Sequence, residues 1–192
     1  MLGGLIGGAV WAGIVGVLKA RTGAHEVIVT IMLNYVALYL LDYLLHTPVL
    51  QAPGSSNPKS PAELPTAVLP SLFGLPVNLG FLLAVLAVLA SAWLLSRSSL
   101  GFKLRAVGEN PAAARTAGID VRRMTIVAMV VSGLLVGLAG AYQVLGQSTG
   151  GFSNDFDASI GFNAITVALL GRSRPWGVFW ACLLYTSDAA DE

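Results

Sequence analysis

The chain has 192 residues, of which 55% are hydrophobic and 11% charged, with a formal net charge of +1. A soluble domain carries roughly a quarter of its residues as Lys, Arg, Asp and Glu. With a mean hydropathy of +0.74, the composition excludes an ordinary water-soluble globule and points to an integral membrane protein. A single cysteine, Cys182, excludes a disulfide framework, and two distant histidines, His25 and His46, do not make a His-based metal cluster.

A membrane-spanning helix needs about 20 mostly apolar residues. The first such run covers residues 2–18, is rich in glycine and ends at Lys19 and Arg21. Gly3/Gly7 and Gly4/Gly8 within it have the small-xxx-small spacing that lets helix backbones approach closely. The second run covers 27–46 and is unusual in its polar content. Glu26, Thr30 and Asn34 recur every fourth residue, as do Tyr35, Tyr39 and Tyr43, and Asp42 and His46 are again four apart. On a helix these positions share one broad arc. Asn and Asp are costly in lipid and usually face protein or a water-filled path. Thr30, Asn34 and Tyr35 are therefore candidate pathway-lining residues for a polar solute. The competing expectation is that Asn34 bonds a neighbouring helix while the tyrosines, Asp42 and His46 sit at the outer interface.

The segment from Thr47 to Pro76 holds seven of the nine prolines and reads as an irregular cap or linker. A third span is expected at 78–96 and a fourth at 125–146, where Gly133, Gly137 and Ala141 repeat the small-xxx-small spacing. A fifth apolar segment, 162–181, is interrupted after about ten residues by "GRSRP", which suits a broken helix better than a complete span. Its N-terminal end would bring Asn163 toward a solute. The alternative is one tilted helix whose arginines snorkel.

Basic residues sort the connections. Lys19 and Arg21 lie in one, and Arg97, Lys103, Arg105, Arg115, Arg122 and Arg123 lie in or border another, whereas residues 147–161 contain none. The positive-inside rule places 19–26 and 97–124 in the cytoplasm and 47–77 and 147–161 outside.

The cytoplasmic loop 97–124 contains "VGENPAAARTAGIDVRR". Asn110 is a good N-cap, Pro111 suits the first helical turn, the alanines favour helix and Gly118 suits its end. Two turns of helix cannot cross a bilayer. The segment is either an interfacial helix or a short rigid knob for a cytoplasmic partner.

The stretch "GFKLRAVGENPAAARTAGIDVRRM" resembles the coupling loop of ABC-importer permeases of the branched-chain amino acid, ribose and nucleoside branch. "HEVIVTIMLNYVALYL", "GLLVGLAGAYQVLG" and "GFNAITVALLGRSRPWGV" are similar to further segments of that family, the first of them to nucleoside and simple-sugar permeases. The resemblance covers most of residues 20–180. It implies an all-α polytopic bundle with about four full spans, a broken fifth helix and a short cytoplasmic coupling helix. It also implies a second permease subunit, a cytoplasmic ABC ATPase and an extracytoplasmic solute-binding protein, within the lipid bilayer of a bacterial or archaeal cytoplasmic membrane and with no nucleic acid. Gly108, Glu109, Asn110, Pro111, Ala113, Ala114 and Gly118 carry the coupling pattern. No Walker motif occurs, so no cofactor is expected in this chain: ATP and Mg would be bound by the ATPase. No catalytic or metal-ligating constellation converges, because Glu26, Asp42 and His46 lie on one helix. A permease for branched-chain amino acids and a non-ABC channel or secondary transporter are the alternatives.

The last residues, "CLLYTSDAADE", turn acidic within a few positions and resemble the in-frame translation of a transposon adapter used in sequencing libraries. The expected organisation is therefore a partial permease domain at 1–181, lacking spans at both ends, followed by a non-native tail at 182–192.

Overall fold

A computed structural model describes residues 1–23, 25–47, 60–61, 79–147 and 159–191. Most of the proline-rich segment 47–76 and of the 147–161 connection lies outside the described residues. The described elements are eight helices: α1 (Leu2–Thr22), α2 (Glu26–Leu45), α3 (Leu79–Arg97), α4 (Ser99–Glu109), α5 (Pro111–Thr116), α6 (Val121–Gln147), α7 (Ser159–Leu170) and α8 (Pro175–Asp191). α1, α2, α3 and α6 are each long and apolar enough to cross a membrane. The architecture is all-α and polytopic, as the apolar runs predict.

The chain forms two compact units. One comprises Met1–Gly80 and Lys103–Asp155, the other Phe81–Phe102 and Phe156–Glu192.

The first unit is built on the antiparallel pair α1 and α6. Gly4 faces Gly137 and Ala141, Gly8 faces Gly133 and Gly137, Gly13 faces Val130, and Gly16 faces Ile126 and Met129. At Gly4 and Gly8 a Cβ would collide with the opposite helix, and at Gly16 it would be tightly pressed, so the missing side chains set the helix separation. Lipid supplies no hydrophobic drive between spans, and this close backbone packing replaces it. The other expected stripe, Gly3 and Gly7, points into open space. α2 touches α1 only lightly and is almost wholly unburied, with Leu45 at its end the exception.

α1 ends where Gly23 adopts a left-handed φ of 67° and sends its N–H to the Lys19 carbonyl. α6 begins at Val121, four residues before the apolar run starts. Asp120 explains the early start: its carboxylate accepts from the Arg123 N–H at 3.2 Å and pairs with the Arg123 guanidinium at 3.3 Å. A side-chain cap of this kind satisfies one of the amides that a helix start leaves open.

The second unit contains α3 with the first turn of α4, and α7 with α8. Ser98 makes the corner between α3 and α4. Its hydroxyl donates to the Leu94 carbonyl at 2.6 Å and accepts from the Gly101 N–H at 2.9 Å. Gly101 is buried so tightly against the last turn of α3 that a Cβ would meet Leu94 and Leu95 backbone. The eleven-residue α4 was not among the expected elements.

The fifth apolar segment is broken, as "GRSRP" predicts. α7 ends at Leu170, α8 begins at Pro175, and the two pack together where Gly171 meets the backbone of Gly177 and Val178. α8 starts well before position 181 and continues through to Asp191.

Candidate functional site

α5 is six residues, about 9 Å of helix. Isolated helices this short do not persist in water, so its ends require explanation. At the N-terminus Asn110 is extended, with φ −151° and ψ 98°. Its Oδ1 accepts from the N–H groups of Ala112 at 3.0 Å and Ala113 at 3.1 Å. Pro111 follows at the first helical position, where its missing N–H costs nothing. At the C-terminus Gly118 takes a left-handed φ of 79°. The Gly118 N–H then reaches the Arg115 carbonyl at 3.0 Å, and the Ile119 N–H reaches the Ala114 carbonyl at 2.9 Å. This paired closure satisfies carbonyls that would otherwise stand open. The two capping residues read from the sequence, Asn110 and Gly118, therefore act at the two ends.

The structure separates residues that the sequence lumps together. Ala114 is 3% exposed and forms the inward face of α5, which packs on α6. Gly108, Glu109, Asn110, Pro111 and Ala113 are all exposed. A Cβ at Gly108 or Gly118 would meet nothing within 4 Å. The surface left open is thus the end of α4 and the outer side of α5, and Ala114 lies beneath it. The surroundings are basic: Lys103, Arg105, Arg115 and Arg122 are exposed, while Arg123 is engaged by Asp120.

The membrane positions divide just as sharply. Thr30 is exposed, but its hydroxyl donates to the Val27 carbonyl at 2.9 Å. Thr166 similarly turns back to the Phe162 carbonyl at 3.4 Å. The side chains of Asn34 and Asn163 are exposed and have no hydrogen-bond partner among the described residues. Tyr35 is 57% exposed beside Asn34. The unpaired amides carry both donors and acceptors on otherwise apolar helices. At the far end of α2, His46 Nδ1 lies 3.8 Å from the Asp42 carboxylate and 2.7 Å from the Asp42 carbonyl. These two residues engage each other and do not extend the Asn34 arc. Among the described residues no three His, Cys, Asp or Glu side chains cluster as a metal site would.

Sequence reasoning missed α4, the Asp120 cap and the inward turn of Ala114. Two signals were present: Ser98 as an N-cap, and the spacing of Leu100, Leu104 and Val107.

Helices long and apolar enough to span, joined by a capped, basic helix too short to do so, mark a multi-pass membrane protein. Residues 1–187 match the family described as branched-chain amino acid transport system, permease component, and the chain belongs to that family. It is 35% identical over 191 residues to the nucleoside ABC transporter permease protein NupB of Lactococcus lactis subsp. cremoris, covering 95% of this chain and 52% of the relative. It is 37% identical over 180 residues to the guanosine ABC transporter permease protein NupP of Bacillus subtilis, covering 92% and 52%. It is 34% identical over 195 residues to the glucose ABC transporter permease protein TsgB13 of Haloferax volcanii, covering 96% and 51%. The chain spans about half the length of these relatives. No solved structure matches it.

Proposed function

We propose that this chain forms the membrane-embedded part of an ABC-importer permease subunit that moves a small, uncharged, hydrogen-bonding solute inward. A nucleoside is the first choice and a simple sugar the second. A separate cytoplasmic ATPase binds ATP and Mg, a second permease subunit completes the pathway, and an extracytoplasmic binding protein delivers the solute. The membrane is the cytoplasmic membrane of a bacterium or archaeon. The observation that carries this reading is α5: a helix too short to persist alone, pinned at both ends, presenting Ala113 outward and Ala114 inward onto α6. Such a part transmits force from a partner.

The solute class rests on Asn34, Tyr35 and Asn163. Charged side chains of the spans stand only at or near helix ends, as with Glu26, Asp42, Arg97, Arg122 and Arg123. Neutral amides and a phenol ring suit a neutral solute with donors, acceptors and a stackable ring better than a zwitterionic amino acid.

The test is co-expression of the complete subunit with its ATPase and binding protein in vesicles, followed by uptake of labelled nucleosides. The expected result is ATPase co-purification and ATP-dependent uptake. Asn34→Leu and Asn163→Leu should each raise the solute KM about tenfold, the loss of roughly one hydrogen bond, with normal insertion. Uptake that persists without ATP, or a complex that never binds an ATPase, would overturn the reading.

A further inference from the structure

The α7–α8 junction has a property that the transport reading does not use. Arg172 and Ser173 both adopt φ 52°, two consecutive non-glycine residues in the left-handed region. Such a conformation is strained for residues with a Cβ, and it persists here because the junction is braced. The Ser173 N–H reaches the Ala168 carbonyl at 2.9 Å, the Arg172 N–H reaches the Leu169 carbonyl at 3.0 Å, and Gly171 lies against Gly177. The turn holds Arg172 and Arg174 exposed, and neither guanidinium has a partner among the described residues.

The flanks are apolar and equally open. Leu169 and Leu170 are exposed before the turn, and Trp176 and Trp180 after it. The two tryptophans are four residues apart, on one face of α8, with Phe179 edge-on to both at centroid distances of 6.3 and 5.6 Å. Basic side chains beside exposed tryptophan, between two apolar helices, form the pattern of a membrane–water boundary. An unpaired guanidinium is not stable in hydrocarbon and is drawn to phosphate oxygens.

We propose that Arg172 and Arg174 bind the phosphates of anionic phospholipids in the cytoplasmic leaflet, the side that basic connections favour, fixing the α7–α8 turn at headgroup level. The depth of α7 follows. α7 runs on from Asn163 to Leu170, seven residues or about 10 Å of helix, a third of a ~30 Å hydrocarbon core. A turn held at the inner headgroups leaves Asn163, and with it the start of α7 at Ser159, inside the hydrocarbon core and not on the outer side where the sequence places residues 147–161. The proposal does not depend on which solute is moved.

The test uses the full chain in two measurements. In the first, native mass spectrometry compares retention of phosphatidylglycerol and phosphatidylcholine by the unaltered chain, an Arg172→Gln/Arg174→Gln variant and an Arg172→Lys/Arg174→Lys variant. With about 1 kcal/mol for each basic residue at an anionic surface, the Gln variant should lose roughly thirtyfold of the preference for phosphatidylglycerol. The Lys variant should keep most of it, and millimolar inorganic phosphate should not displace the lipid. In the second, Ser173→Cys in a Cys182→Ser background should react with a membrane-impermeant maleimide in inside-out vesicles and not in intact cells. Equal retention by the unaltered chain and a Gln variant of unchanged helicity would overturn the proposal. So would displacement by inorganic phosphate, which marks a free-anion site, or labelling from outside. If the Gln variant does not fold, the Lys variant and the labelling decide: a Lys variant without lipid preference would also overturn it.

Discussion

Gly8 of α1 and Gly133 of α6 meet backbone to backbone, each placed where a methyl on the other would strike its carbonyl oxygen. Neighbouring Gly4 and Gly137 stand in the same relation. Such approach permits weak Cα–H···O contacts along the whole seam. It makes the seam the main tertiary contact of its unit and the base on which α5 rests.

Substitution along α1 should therefore change sign within one helical turn. Gly8→Ala places a methyl against the Gly133 carbonyl and the Gly137 backbone, and should destabilise by about 1–3 kcal/mol through overpacking. Gly7→Ala meets open space and should stabilise by up to about 1 kcal/mol through helix propensity. Thermal unfolding in detergent measures both. Equal shifts would show that the seam does not carry the packing.

Removing the cap of α5 should uncouple before it unfolds. Asn110→Ala loses the acceptor shared by Ala112 and Ala113 and should cost about 1 kcal/mol locally. Solute-stimulated ATP hydrolysis in the complete complex should fall severalfold, with membrane insertion unchanged. Asn110→Asp keeps the acceptor and should retain most of the stimulation.

The two central alanines should separate docking from folding. Ala113→Trp adds bulk to an exposed position, so stability should stay within about 0.5 kcal/mol while stimulation of the ATPase is lost. Ala114→Leu adds bulk to a buried one and should lower stability by about 1–3 kcal/mol. Paired melting curves and ATPase assays distinguish them. Normal stimulation in Ala113→Trp would remove α5 as the docking element.

The strained turn should respond to glycine. Ser173→Gly relieves a left-handed residue and should stabilise the α7–α8 pair by up to about 1 kcal/mol. Ser173→Val should destabilise by more than that, because a β-branched residue fits the region poorly. Differential scanning fluorimetry of the three chains gives the order directly.

The long spans were legible because apolar length is a sequence property that lipid enforces. The helix starts were not. Hydropathy sets the fourth span at Thr125, but Asp120 and its bond to the Arg123 amide begin α6 at Val121. α4 escaped notice because Lys103, Arg105 and Glu109 dilute the apolar run, although Ser98 and Leu100, Leu104 and Val107 carried the helical signal. At the candidate coupling surface the caps could be read from residue type alone. Which alanine faces inward could not: three identical side chains have no periodicity, and only packing on α6 distinguishes Ala113 from Ala114. The asparagines were legible as costly positions, and the structure adds that both amides are still unspent.

Stiffness follows from the way α5 is closed at both ends. A short peptide under compression normally yields by fraying its first and last turns. Here the Asn110 oxygen holds the first turn and the Gly118 and Ile119 amides hold the last, so neither end can yield cheaply. A load applied to the exposed side is not absorbed as local melting. The packing of α5 on α6 and the glycine seam between α6 and α1 would pass it on to those two spans. Closed in this way, the six residues are built as a strut resting on α6.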